Sequence, residues 1–373
     1  MAKKSIVLMY ISEVSGHHSA SIAIEKALKN LSNENDILNI NTFRYTNPIS
    51  EKIANRIYTT IIKATPKIWD YVYDNPKVKK KLDVIKHTIH RMNSPKLKRL
   101  FDKVKPDAVV CCQAFPCGMV ADYKKTFGSS VPLIAVLTDY VPHSYWIYDE
   151  VDYFITPSEE VSQRLVKKGV ASNKVKALGI PFAPEFNQHH DKNDVIHKLK
   201  LDPGLKTILI MGGGQGFGPI KTIVKSIEKV KTGLQEIIVC GTNKKIYKSL
   251  KKKIKKYKKR IILFGYAHNV SELMSVADLI VTKPGGITVS EALAKKLPML
   301  IIKPIPGQEI NNTIYLVDKK AAIKIDKPKK INSVIEDLFL NPDKLKELSD
   351  SAASIAKPNS SMDIAKFILS LNG

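Results

Sequence analysis

The sequence predicts an α/β protein built from two doubly wound parallel sheets, and three observations carry that reading. Its 373 residues exceed what one ordinary hydrophobic core serves and suit two domains, each large enough to bury a sizeable interior. Short apolar runs alternate with amphipathic stretches along the chain, the pattern of strand-helix-strand units. Glycine-bearing turns follow several of the runs, at the strand ends where sheets of this type bind ligands.

In chain order, Ser5 to Ile11, Ala108 to Cys112, Leu133 to Leu137 and Tyr153 to Ile155 read as strands of a first lobe. Thr207 to Met211, Glu236 to Cys240, Ile261 to Phe264, Leu279 to Val281 and Met299 to Ile302 read as strands of a second. Helical patterns such as Ser19 to Leu31, Ser158 to Lys168 and Val289 to Lys296 lie between them. The expected division is a first lobe over 1–182, a polar, proline-bearing linker over 183–203, a second lobe over 204–345, and a C-terminal helix within 346–373 that packs back toward the first lobe.

A 44% hydrophobic and 25% charged composition is that of a soluble globular protein, but a formal net charge of +25 is not ordinary. It implies a polyanionic partner: nucleic acid, an anionic membrane surface, or nucleotide phosphates together with one of these. No segment approaches the roughly 18 uninterrupted apolar residues of a transmembrane helix. The first apolar run follows two lysines, yet it is too short for a signal-peptide core and Glu13 cuts it off. Cys111, Cys112 and Cys117 cluster and Cys240 is remote, which fits neither a disulfide framework nor a paired zinc site, so reduced, buried thiols are expected.

Four loops carry candidate chemistry. Ser15-Gly16-His17-His18-Ser19-Ala20 leads from the first strand into a helix and places His17 or His18 at the mouth of the first lobe, as a general base or as an incidental pair in a capping loop. Thr138 to Trp146 ends another strand of that lobe. There Asp139 can orient a histidine, contact an acceptor hydroxyl or cap a turn, and Tyr145 and Trp146 suit either an acceptor site or the core. Met211 to Pro219 contains Gly212, Gly213, Gly214, Gln215 and Gly216. It departs from the dinucleotide fingerprint at Phe217 and from the Walker loop at Pro219, leaving a nearly bare backbone able to donate N–H groups to a ligand.

The fourth is Lys283 to Ala292 with Pro306 to Glu309. A buried strand feeds the Gly285-Gly286 turn, and a helix opens near Ile287 and Thr288 with its free N–H groups and positive dipole end available to a phosphate. Glu291 can accept hydrogen bonds from a vicinal diol, and Gln308 with Glu309, followed by Asn312, can bond several sugar hydroxyls.

Together these residues resemble the monogalactosyldiacylglycerol synthase and processive diacylglycerol glucosyltransferase family, grouped with the peptidoglycan transferase MurG among GT-B glycosyltransferases. The resemblance is carried by Ser15-Gly16-His17, Thr138-Asp139 with His143 and Trp146, Gly179-Ile180-Pro181, Gly212 to Gly216, Thr282 to Gly286, Glu291-Ala292, and Pro306 to Glu309 with Asn312. It implies two Rossmann-like lobes facing across a cleft, the first for acceptor and membrane, the second for the donor. By it, His17 is the base and Asp139 assists. Gly16, Gly212 to Gly216, Gly285, Gly286, Ile287 and Thr288 surround the diphosphate, Glu291 holds the ribose, and Gln308, Glu309 and Asn312 meet the hexose. Phe264, Gly265 and Tyr266 lie by the uracil, and His143 and Trp146 line the acceptor side. One departure bears on acceptor fit: Glu13-Val14-Ser15 stand before Gly16 where the family is richer in glycine.

The implied reaction is a single in-line displacement at the anomeric carbon of a UDP-sugar, with inversion, giving a β-glycosyldiacylglycerol. N–H donors and a helix end would stabilise the charge growing on the diphosphate. With no DxD-type acidic pair in a suitable loop, no metal or other cofactor is expected. Lys77 to Arg99 carries nine Lys or Arg against one Asp, interleaved with apolar residues, and Lys79, Lys80, Lys81 and Arg91 suit an anionic membrane. The expected location is therefore the cytoplasmic face of the cell membrane, peripherally bound, with no nucleic-acid partner. Lys244 to Arg260 adds eleven positive residues and no acidic one, as membrane contact or as a solvated face. Two alternatives share the fold: a MurG-like N-acetylglucosamine transferase acting on a polyprenyl-linked precursor, and a UDP-sugar epimerase. A nucleic-acid-binding protein would account for the charge but not for the sugar-type loops.

Overall fold

The computed structural model describes residues 3–13, 15–46 and 94–371. The chain divides into two compact units. The first comprises Met1–Pro184, Ile305–Gln308 and Asn359–Gly373, and the second Glu185–Pro304 and Glu309–Pro358.

The first unit holds a parallel sheet of β1 (Ser5–Tyr10), β2 (Asp36–Asn41), β3 (Ala108–Cys111), β4 (Leu133–Val136), β5 (Tyr153–Ile155) and β6 (Val175–Lys176), in the order β2-β1-β3-β4-β5-β6. Strands β1, β3 and β4 are apolar and buried because helices cover both faces of a parallel sheet. The helix Gly16–Leu31 follows β1, Ala114–Phe127 follows β3, and Glu159–Lys167 follows β5. The strand order reverses between β1 and β3, so the crevice for a ligand lies above the carboxyl ends of those two strands.

The second unit repeats the plan with β7 (Lys206–Met211), β8 (Leu234–Val239), β9 (Arg260–Phe264), β10 (Leu279–Thr282), β11 (Met299–Ile302) and β12 (Ala322–Ile325), in the order β12-β11-β10-β7-β8-β9. Every pairing is parallel. Here the reversal falls between β7 and β10, whose loops are the glycine run at 212–218 and Lys283-Pro284-Gly285.

Two parts of the chain differ from the expected division. Of the expected linker over 183–203, residues 185–203 are folded into the second unit: Asp191 caps the helix Lys192–Lys198, Ser271 Oγ donates to the Glu185 carbonyl at 3.0 Å, and Lys198 pairs with Glu272 at 2.8 Å. Its polar composition reflects an exposed helix rather than a loose connection. The helix Pro342–Ile355 also stays with the second unit. Only Ser360–Ser370 joins the first, where it packs on Gly16–Leu31, Ser360 Oγ donates to the Ile180 carbonyl at 2.8 Å, and Phe367 meets Tyr153 edge-on.

The lysine-rich 244–260 segment is a solvated face. Its apolar side is already in use: Leu250 is buried, and Ile246, Tyr247, Ile254 and Tyr257 pack on the core of the second unit. The membrane candidates Lys79, Lys80, Lys81 and Arg91 lie outside the described residues. Among the described residues no helix is long and apolar enough to cross a membrane, and the four cysteines are free and buried.

Candidate active site

In the first unit, Ser15 caps the helix Gly16–Leu31, its hydroxyl accepting from the His18 N–H at 3.2 Å and donating to the Ser12 carbonyl at 2.6 Å. This fixes two adjacent histidines in different settings. His18 Nδ1 donates to the Glu13 carbonyl at 2.7 Å, and its ring stacks on Tyr10 with centroids 4.1 Å apart. His18 is thus part of the loop's own structure.

His17 lies instead at the switch point. Its Nδ1 is 3.1 Å from Thr138 Oγ1, at the end of β4. Burial lowers its pKa to about 4, with the backbone of Cys112, at the end of β3, acting in the opposite direction. The ring is neutral at physiological pH and can take a proton. Three strand ends therefore converge on it.

The expected helper, Asp139, stands one residue beyond the group seen to bond the ring. Thr138, given no separate role from sequence, is that group. Its only signal in the chain is a hydroxyl placed directly after an apolar strand. Trp146 is 4% exposed in the core of this unit, with the His143 ring 5.9 Å from it, so Trp146 is packing rather than an acceptor contact.

In the second unit the glycine loop is a folded object. The Phe217 N–H donates to the Gly212 carbonyl at 3.0 Å, Gly216 to Gly213 at 2.9 Å, and Thr242 to the Gly214 carbonyl at 2.9 Å. A Cβ on Gly212 would lie 1.9 Å from the Phe217 oxygen, and one on Gly216, whose φ is +60°, would lie 1.9 Å from the Cys240 oxygen. Gly213 and Gly214 differ, since a Cβ there meets nothing within 4 Å, although Gly213 also holds a left-handed φ of +66°. The first pair builds the loop, and the second leaves an open backbone surface. Gly216→Ala is therefore expected to lower the melting temperature by several degrees or prevent folding, while Gly214→Ala leaves thermal unfolding unchanged. Parallel melting curves check the contrast.

Beside this loop, Gly285 is the N-cap of the helix Gly286–Ala294 and offers no side chain to its first-turn N–H groups. Gly286 is buried, whereas Ile287 and Thr288 remain partly exposed on that first turn. A helix N-terminus with no side-chain cap leaves its first-turn N–H groups available at the switch point, a setting that suits an anion. Glu291, one turn on, is partly buried and carries no hydrogen bond or ion pair from its carboxylate among the described residues; burial pushes its pKa up to about 8.

The helix Gln308–Asp318 supplies the remaining candidates. Glu309 Oε1 accepts from Lys283 Nζ at 2.6 Å. Asn312 is fully buried and donates through Nδ2 to the Pro284 carbonyl at 3.0 Å. It holds the turn before the helix Gly286–Ala294 in place instead of facing a ligand. At the end of β9, the Phe264 carbonyl accepts from the Cys240 N–H at 3.0 Å, and Tyr266 stands 58% exposed beyond Gly265. Lys283, a charged residue closing an apolar strand, was visible in the sequence but given no role there.

Two doubly wound sheets, each presenting its loops at the point of strand reversal, are the hallmark of the GT-B class of two-lobed glycosyltransferases. Comparison with known proteins narrows the class. A family model described as Monogalactosyldiacylglycerol (MGDG) synthase matches residues 17–182, and one described as Glycosyltransferase family 28 C-terminal domain matches residues 207–366. A processive diacylglycerol beta-glucosyltransferase of Bacillus cytotoxicus is 31% identical over 361 residues, 96% of this chain and 91% of that protein. The protein of the same name from Bacillus licheniformis is 29% identical over 363 residues, 96% of this chain and 92% of that one. The crystal structure of Acinetobacter baumannii MurG shares the fold, with a TM-score of 0.64 at 14% identity over 99% of this chain and 100% of that one. The chain belongs to the family of monogalactosyldiacylglycerol synthases and processive diacylglycerol glucosyltransferases.

Proposed function

We propose that this protein moves a hexose from a UDP-sugar to the free hydroxyl of diacylglycerol, with inversion, at an anionic membrane surface on the cytoplasmic side. The observation that carries the donor half is the uncapped N-terminus of Gly286–Ala294 beside the open backbone of Gly213 and Gly214. Those N–H groups suit a diphosphate, and they stabilise most strongly the charge that develops as the sugar-phosphate bond breaks. In this scheme backbone N–H groups carry the neutralisation, without a metal. Glu291 accepts from the ribose hydroxyls, Gln308 and Glu309 from the hexose, and the exposed Tyr266 lies near the uracil.

His17 is the base in this scheme. It takes the acceptor's hydroxyl proton while the alkoxide oxygen attacks the anomeric carbon and UDP leaves, and Thr138 keeps the ring oriented. The names of the relatives favour glucose over galactose as the sugar. The assay is turnover of UDP-glucose and UDP-galactose on vesicles of diacylglycerol with anionic lipid, in the presence of EDTA. Formation of glycosyldiacylglycerol is expected; no glycolipid with either donor would sink the acceptor assignment, and a requirement for divalent ions would sink the metal-free one. In the same system Gly214→Ala is expected to weaken UDP binding.

Glu291 adds a pH dependence. Below about pH 8 its carboxyl is protonated in the free protein, so presenting a carboxylate to the ribose requires loss of that proton. UDP affinity should rise with pH up to about 8 and level off above it. Calorimetric titrations at several pH values check this, and Glu291→Gln should remove the slope.

A further inference from the structure

Lys283 stands between the glycine loop and the helix Gln308–Asp318 in the second unit. It closes β10, immediately before the turn into Gly286–Ala294. Its ammonium donates to Glu309 Oε1 at 2.6 Å and stands 5.7 Å from the centroid of Phe217, inside the glycine loop. The two side chains are 13% and 14% exposed, so the pair is largely withdrawn from water. A withdrawn pair is costly to desolvate and contributes little net stability, whereas losing one partner leaves an uncompensated charge. Surface pairs elsewhere in this lysine-rich chain are far more exposed, as with Lys346 and Asp350 at 73% and 64%.

The neighbouring contacts make the pair a rigid bracket. Asn312 Nδ2 holds the Pro284 carbonyl, and Thr313 Oγ1 donates to the Glu309 carbonyl at 2.7 Å. The helix that begins at Gln308 is thereby tied to the β10 loop twice, once through the Asn312 amide and once through Lys283. With Oε1 committed to Lys283, Glu309 has a fixed carboxylate orientation. The ring of Phe217 beneath the same ammonium links that orientation to the loop that approaches the diphosphate.

We propose that Lys283 is a positioning residue for donor-sugar recognition: it orients the Glu309 carboxylate toward the hexose. This rests on the UDP-sugar reading above. An orienting lysine differs from a phosphate ligand in what its loss affects. The first changes affinity for the intact sugar nucleotide, while the second changes affinity for UDP as well.

The test compares binding of UDP, UDP-glucose and UDP-galactose by calorimetry to the full chain and to Lys283→Met, Lys283→Arg, Glu309→Gln and the Lys283→Met/Glu309→Gln double variant. Lys283→Met is expected to weaken the preferred UDP-hexose by ~10- to 100-fold, the worth of one hydrogen bond to a charged group, with UDP affinity nearly unchanged. Lys283→Arg should recover part of the loss. The double variant should bind no more weakly than Glu309→Gln alone, because the lysine acts through the glutamate. Equal weakening of UDP and UDP-hexose, or no weakening of either, overturns the proposal. Should Lys283→Met fail to fold, Lys283→Arg decides: an unchanged ratio of UDP-hexose to UDP affinity overturns it and a lowered ratio supports it. If the unaltered protein binds neither UDP nor a UDP-hexose, the donor reading itself falls.

Discussion

Replacing Glu236 with methionine should stabilise the second lobe more at pH 8 than at pH 5. Glu236 sits in β8 with Ile208 and Ile261 beside it on the neighbouring strands. It is fully buried, and among the described residues neither carboxylate oxygen has a hydrogen-bond partner. Burial raises its pKa to about 8, helped by the nearby charge of Glu228 and opposed by Lys259. The amine of Lys259 is directed to the Thr232 carbonyl at 3.2 Å.

The sign follows from the raised folded-state value. Below the ordinary carboxyl pKa of 4.5 the group is protonated whether folded or not, and costs nothing through its proton. Between there and about 8 the unfolded chain loses that proton and the folded one keeps it, so stability falls with rising pH. The loss levels off above 8. Linkage at about 1.4 kcal/mol per pH unit puts the total on the order of 5 kcal/mol. Methionine is neutral at every pH and leaves no orphaned polar atom. Urea unfolding of both proteins across this pH range measures the difference, and parallel curves would refute the account.

His17→Ala should lower turnover by ~10²- to 10⁴-fold, the usual contribution of a general base, while UDP binding is unaffected. In the unaltered protein, a base whose pKa burial has lowered to about 4 is deprotonated well below neutrality. Its contribution to the rate should therefore stay flat from neutral pH down to about pH 5, and decline only as the ring protonates near 4. An ordinary histidine would lose activity about two units higher. Thr138→Val should cost less than His17→Ala, since the ring remains but its orientation is released. His18→Ala should act mainly on stability, because that ring is committed to Tyr10 and the Glu13 carbonyl. Full activity in His17→Ala would remove the base assignment.

The fold was largely legible because buried parallel strands are short, unbroken apolar runs. Met299–Ile302 and Tyr153–Ile155 match their expected bounds, and others differ by a residue or two at an end. Asp36–Asn41, Val175–Lys176 and Ala322–Ile325, which the apolar pattern does not mark, each lie at an edge of their sheet. An edge strand is covered less completely, so it tolerates the Asp, Asn and Lys that break an apolar run. In the site, the glycines were legible as a class. Their division into loop builders and open positions was not, because it depends on where the Cys240 and Phe217 carbonyls lie in space. Asn312 looked like a ligand contact because a buried amide bonding a backbone carbonyl has the same one-letter signature as one that meets a sugar.

The return of Ser360–Ser370 to the first unit also sets an order of assembly. The helix Gly16–Leu31, which carries His17, has its covering partner some 330 residues later in the chain. A ribosome therefore synthesises the entire second lobe before the first can close. Until then the apolar surface that Ile364, Ala365 and Ile368 will cover stays open in the nascent chain. Such long-range closure is slow and exposed to aggregation. The helix that carries His17 is therefore fully supported only once Ser360–Ser370 has emerged, and not when residues 16–184 alone are available.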